Sequence, residues 1–165
     1  MVGGALLSGL VLQAFAEAGG VGLEGAAQNA SEIERGAAQT ESICFVQRRA
    51  DPTFSDKSEV PEYLRGRSLN DVVADLKSGK IEPEEIEIQV FRDPGSGKLV
   101  SINTRGLAAL SDAGFRLINV KLVQPPDKSV LRRLAEGTFS QDFSLPGPHV
   151  PITLNRKDVR IIRVI

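Results

Sequence analysis

Arg105 stands in a short polar run, Asn103-Thr104-Arg105-Gly106, that separates two apolar patterns of different period. Ahead of it Ile86, Ile88 and Val90 alternate with Glu87 and Gln89, and Val100 and Ile102 share a face, the period-two signature of strands. Behind it Leu107, Leu110 and Ala113 recur at helical spacing, and Gly114 falls where a glycine ends a helix. A strand that turns directly into a helix gathers unpaired backbone N–H groups at the corner, and such corners attract phosphate and other anions. The expected chemistry is therefore an anion grip. Arg105 supplies a planar fork, Asn103 and Thr104 supply polar side chains, and Gly106 and Leu107 supply N–H groups. Arg92 and Lys98, beside the adjoining turn, would extend it.

For proton transfer the candidates are Asp93, which opens the turn Asp93-Pro94-Gly95-Ser96-Gly97, and His149, the only histidine. His149 lies in a loop rich in Pro and Gly, where active-site residues are often found. Asp71, Glu82, Glu84 and Glu85 are further carboxylates. A nuclease assisted by magnesium needs such groups to converge on one ion, and no residue is assigned here as a metal ligand. Each candidate also has a plain structural role. Asp93 begins a turn, Asp71 caps a helix, Glu82 to Glu85 form a solvated turn, Arg105 is a solvated helix-start residue, and His149 is a surface residue. No Gly-x-Ser-x-Gly or Cys/His pairing suggests a nucleophilic triad.

These residues need a scaffold, and the spacing predicts one. The stretch 86–123 reads as strand, tight turn, strand, corner, short helix and strand, the last carrying Ile118, Val120 and Leu122 before Pro125-Pro126. Upstream, Ser68-x-x-Asp71 is a capping-box variant, and Leu69, Val72, Val73 and Leu76 form an i, i+3, i+4, i+7 stripe ended by Ser78-Gly79. Pro83 stops that helix from continuing. Ile43 to Val46 predicts a short strand. Asp127 would cap a helix bearing Val130, Leu131 and Leu134, stopped by Gly137. Ile152 to Leu154 and Val159 to Ile165 read as strands.

The corner with Arg, followed by Leu107, Ala109, Leu110, Ala113 and Gly114, resembles the core of the ParB/sulfiredoxin-like superfamily. In that family a Gly-Glu-Arg-Arg corner opens a helix and grips nucleotide phosphates. Laid on it, Asn103 takes the place of Gly, Thr104 of Glu, Arg105 of the first Arg and Gly106 of the second. The missing second Arg is a departure from the family's pattern. The resemblance covers roughly Ser68 to Val123. A second resemblance is to C-terminal toxin modules of bacterial polymorphic toxins, carried by Arg49 to Ser55, Arg67 to Val73, Leu76 to Ile81 and Asn103 to Arg105. It implies a toxin or effector nuclease, a DNase, gripping phosphate at Asn103-Thr104-Arg105; the residues' own chemistry offers Arg105, Asp93 and His149 as its catalytic candidates. The resemblance further implies nucleic acid or nucleotide as substrate, a cognate immunity protein as partner, and secretion or delivery into a target cell's cytoplasm. The alternatives are a nucleotide-binding module that hydrolyses or senses NTP, and a non-catalytic interaction domain.

Composition sets outer limits. A chain of 165 residues, 41% hydrophobic and 25% charged, suits one ordinary globular domain with a tail. The single Cys44 excludes an internal disulfide and a cysteine-rich zinc site, and its apolar neighbours predict burial. The net charge of -1 is unevenly spread, since the chain from Arg48 onward is mildly basic, compatible with a phosphate-bearing partner. Ala5 to Ala16 is apolar but too short to span a bilayer, so no transmembrane segment is expected. No Lys or Arg precedes it, which argues against a signal peptide. The expected architecture is α+β: residues 1–47 form a Gly/Ala-rich helical lead-in, and 48–165 form a small mixed sheet with two or three packed helices.

Overall fold

The computed structural model describes residues 33, 35–47, 49–127, 148–158 and 160–165. Its main sheet has five strands: β1 (Ala37–Gln39), β2 (Ile43–Phe45), β3 (Ile88–Arg92), β4 (Leu99–Ser101) and β5 (Leu117–Leu122), in the spatial order β1-β5-β3-β4-β2. The pairing is mixed. β1 runs antiparallel to β5, β5 parallel to β3, β3 antiparallel to β4, and β4 parallel to β2. The edge strands β1 and β2 are consecutive in sequence, joined only by a single 3-10 turn, Thr40–Ser42. A link of that length reaches at most roughly 15 Å, whereas the edges of a flat five-stranded sheet lie about 19 Å apart. The sheet must therefore curl. Thr40 holds the link in place: its N–H donates to Arg116 O at 2.8 Å and its hydroxyl to Phe115 O at 3.0 Å.

Two helices cover one face of this sheet. α1 (Leu69–Lys77) starts where the sequence predicts, because Ser68 Oγ accepts from Asp71 N at 3.1 Å and donates to Asp71 Oδ2 at 2.6 Å. Its stripe of Leu69, Val72, Val73 and Leu76 is buried. α2 (Thr104–Asp112) buries Leu107, Ala108, Ala109 and Leu110 and packs on α1. Gly114, at φ +91°, turns the chain out of α2 in a conformation that favours glycine. Ile88, Val90, Ile118 and Val120 complete this core from the sheet. On the other face Cys44, Val46, Phe91 and Val100 form a smaller buried cluster. Burial there pushes the Cys44 thiol up from its ordinary value, so it packs as an apolar residue.

A separate antiparallel pair, β6 (Pro151–Thr153) and β7 (Ile161–Val164), lies near the C-terminus. Ala50 bridges to Ile152 of β6, with Ala50 N donating to Pro151 O at 2.8 Å and Thr153 N to Ala50 O at 3.1 Å. Ile161, Ile162 and Val164 of β7 are exposed.

The α+β class, the hairpin, both helices and the last strands agree with the sequence reading. The expected start of the folded part at residue 48 does not, because β1 and β2 already belong to the sheet. Ala37 and Ala38 carry little strand propensity of their own, and pairing with Asn119 and Ile118 supplies what the local sequence lacks. Of the expected helical lead-in over 1–47, residues 1–32 and 34 lie outside the described residues and 37–39 and 43–45 are strand. The expected helix between Asp127 and Gly137 also lies outside them, apart from Asp127 itself. No helix among the described residues is long and apolar enough to cross a membrane.

Leu76 and Leu110 are 2% and 0% exposed. Replacing either by Ala should cost about 2–5 kcal/mol in denaturant unfolding, and a loss under about 0.5 kcal/mol would mean the side chain is not enclosed. A chain shortened to begin at Arg48 loses both edge strands and should melt without a cooperative calorimetric transition. A sharp transition in that fragment would show that the sheet closes without β1 and β2.

Candidate functional site

The corner between β4 and α2 is built by Asn103. Asn103 occupies the N-cap position of α2, but its side chain makes no capping bond to the helix. Instead Asn103 Oδ1 accepts from Gln89 N at 2.9 Å, directly beyond the bond from Ile102 N to Gln89 O, also 2.9 Å. The side chain thus adds one more rung to the β3–β4 ladder and fixes where the chain leaves the sheet. The helix N-terminus is left uncapped. Leu107 N is committed to Asn103 O at 3.0 Å, so it cannot join an anion grip as the sequence suggested. The N–H groups of Thr104, Arg105 and Gly106 have no partner among the described residues.

Gly106 explains how the helix sits so close to the sheet. A Cβ on Gly106 would meet Ile88 Cδ1 at 2.9 Å and Ile86 Cγ2 at 3.3 Å. Both isoleucines are buried, so a larger residue here would have to displace packed side chains. An Arg at this position would have to repack Ile86 and Ile88.

Arg105 lies at the edge of the buried layer. Its Nε donates to Asp51 O at 3.3 Å, and neither terminal nitrogen has a hydrogen bond or ion pair among the described residues. Loss of water around it pushes the guanidinium below its ordinary pKa. The Asp51 charge opposes that shift, and the like charge of Arg156, on the turn between β6 and β7, adds to it. Asp51 is placed by its neighbour Ala50, which is tied to β6, so the C-terminal strand pair holds Arg105 indirectly.

Arg105 opens onto a cleft of about 390 Å³, within the size range of small-ligand sites. Its floor is the corner itself with Ile86 and Ile102, and the opposite wall is Phe54, Val60, Pro61 and Leu64 from the 46–68 connection. Thr104 also lines it. Thr104 is 4% exposed, and its hydroxyl is buried without a partner. Among the described residues, Glu59, Glu85 and Glu87 share the cleft with one guanidinium, that of Arg105, beside Gln47 and Gln89. Glu85 Oε1 is already used, accepting from Glu82 N at 2.9 Å to cap the 3-10 turn Pro83–Glu85.

The other expected site residues are elsewhere. Asp93 is at the far end of the hairpin, roughly 13 Å from Gln89 at the ordinary strand rise. There its Oδ2 accepts from Ser96 N at 2.8 Å and Ser96 Oγ at 2.5 Å, and the bond from the Ser96 hydroxyl leads the interactions that hold its pKa below the usual carboxylate value. Arg92 Nη1 donates to Gly97 O at 3.2 Å at that same end, with Lys98 beside it. His149 lines a different cavity, about 220 Å³, with Thr40, Glu41, Leu107 and Ser111. Asp71 is occupied at the start of α1. The structure therefore brings together Asn103, Thr104, Arg105 and Gly106, and leaves Asp93, His149, Arg92 and Lys98 apart from them. No three His, Cys, Asp or Glu side chains among the described residues form a metal-binding group.

Comparison with family models, with curated proteins and with solved structures finds no match to this chain.

Placing an Arg at position 106 tests the packing account. Gly106→Arg should lower stability by more than the ~1–3 kcal/mol of ordinary overpacking, because a charged side chain must also be accommodated. An unchanged melting temperature would mean α2 is not seated on Ile86 and Ile88.

Proposed function

We propose that the chain is a phosphate-binding module of ParB/sulfiredoxin-like kind, taking a nucleotide or a nucleic-acid end at the Asn103–Gly106 corner. The observation that carries this reading is Arg105: a partly desolvated guanidinium with no carboxylate bonded to it and both terminal nitrogens free of partners among the described residues. A cation in that state is destabilised until an anion meets it. The three unpartnered N–H groups of the α2 N-terminus and the helix dipole favour the same kind of group. Arg105 would hold phosphate oxygens through its Nη atoms while Asp51 O keeps the fork oriented through Nε.

The toxin reading attaches to this site as a further step. A delivered nuclease would bring the phosphodiester to the same corner, and an immunity protein would silence it by covering the cleft. Because Asp93 and His149 lie elsewhere, proton transfer in such a reaction would fall to the cleft's own polar groups, Glu59 and Glu87 among them. Binding with cleavage defines the nuclease, and binding without cleavage defines a nucleotide-binding module.

The test measures binding of labelled nucleotides and oligonucleotides, together with cleavage of DNA and RNA, by wild type and Arg105 variants at matched folded concentration. A charge-assisted bond is worth about 1.5–3 kcal/mol, so Arg105→Ala should weaken binding on the order of 10–100-fold. Arg105→Lys should recover only part of that loss, since an ammonium lacks the fork. The melting temperature of Arg105→Ala should be equal or higher, because an uncompensated cation is removed. Unchanged binding in Arg105→Ala would take the corner out of the function.

A further inference from the structure

The charge pattern of the cleft narrows what can occupy it. This step rests on the phosphate reading of the corner and concerns the ligand's other end. Among the described residues, one guanidinium and three carboxylate residues line a space of about 390 Å³. A polyanionic strand lying along such a cleft would meet like charge over much of its contact. A ligand with a single phosphate and a far end rich in N–H donors meets complementary groups throughout.

Two of the three carboxylates are available for donors. Glu85 is engaged at Glu82 N, whereas Glu59 and Glu87 make no hydrogen bond or ion pair among the described residues. Glu87 precedes β3, and Gln89, on the same exposed face two positions along, also lines the cleft. The apolar side chains of Phe54, Val60 and Leu64 line the same cleft, a surface suited to the flat face of a ring. The buried, unpartnered hydroxyl of Thr104 at the phosphate end marks a polar group that the fold itself leaves unsatisfied.

We propose that the cleft is a guanine mononucleotide site, with the phosphate at Arg105 and the α2 N-terminus and the base edge at Glu87 or Glu59. A carboxylate presents two acceptor oxygens side by side and no donor. Guanine presents N1–H and its exocyclic amino group side by side, so the two edges match. Adenine and cytosine place an acceptor nitrogen beside their amino group, which a carboxylate repels.

Calorimetric titration of the full chain with GMP, AMP, guanosine and inorganic phosphate separates the possibilities. GMP should bind at least roughly tenfold more tightly than AMP, the discrimination a good bidentate base contact provides, and more tightly than guanosine or phosphate alone. Glu87→Gln together with Glu59→Gln should collapse the GMP-to-AMP ratio towards one while AMP binding stays within about threefold. Both side chains are exposed, so the double variant keeps its fold, which circular dichroism checks. Equal binding of GMP and AMP by wild type would overturn the guanine assignment and leave the phosphate reading standing. Guanosine binding as tightly as GMP would overturn the phosphate end. No binding by any of the four would overturn both.

Discussion

The three-residue link between the two edge strands is the constraint on which the fold depends. It ties β1 to β2 across the whole width of the sheet, so the sheet has to curl before either strand can pair. Curling wraps one face around α1 and α2 and gives a continuous core from short strands, three of which have only three residues. Thr40 and the Glu41–Arg116 ion pair secure the link to the segment leading into β5. The ion pair is exposed and adds little. The buried hydroxyl of Thr40 and its backbone bond carry most of the attachment.

From that closure follows the place of the corner. β3 is the central strand, flanked by β5 and β4, and Asn103 ends the β3–β4 ladder where the central strand begins. The N-terminus of α2 is thereby set against rigid structure on one side, while the irregular 46–68 connection forms the other. Backbone bonds stiffen that connection: Phe54 N to Arg67 O at 2.8 Å and Leu69 N to Pro52 O at 2.6 Å hold it to the start of α1, and Ala50 holds it to β6. A cleft between a fixed floor and a braced loop can be preorganised without a metal or disulfide to hold it.

What the sequence disclosed tracks how local each signal is. The unit from Ile86 to Leu122 could be read because its periods, its turn and Gly114 act within a few residues. Ser68 and Asp71 announced α1 for the same reason. The polar run at 103–104 marks the start of the helix, but that Asn103 bonds Gln89 and not a helix N–H is set by the neighbouring strand. β1 was hidden because Ala37-Ala38-Gln39 has no strand pattern apart from its partner β5. Within the site, Arg105 stood out by its position. Asp51, Glu59 and the apolar wall from Phe54 to Leu64 did not, since only the tertiary fold brings residues so distant in sequence to Arg105. The chemistry of Asp93 and His149 suits catalysis, but residue type alone does not say that one sits at the far end of the hairpin and the other in a separate cavity.

The contact of Gly106 with Ile86 and Ile88 has a consequence for how such a module can diversify. The seat of α2 resists a larger residue at position 106, so the corner end of the cleft is tied to the core. The facing wall hangs on backbone bonds that are indifferent to side-chain identity. Residues at 54, 59, 60 and 64 can therefore be exchanged, and the lining of the cleft changed, while the corner itself stays in place.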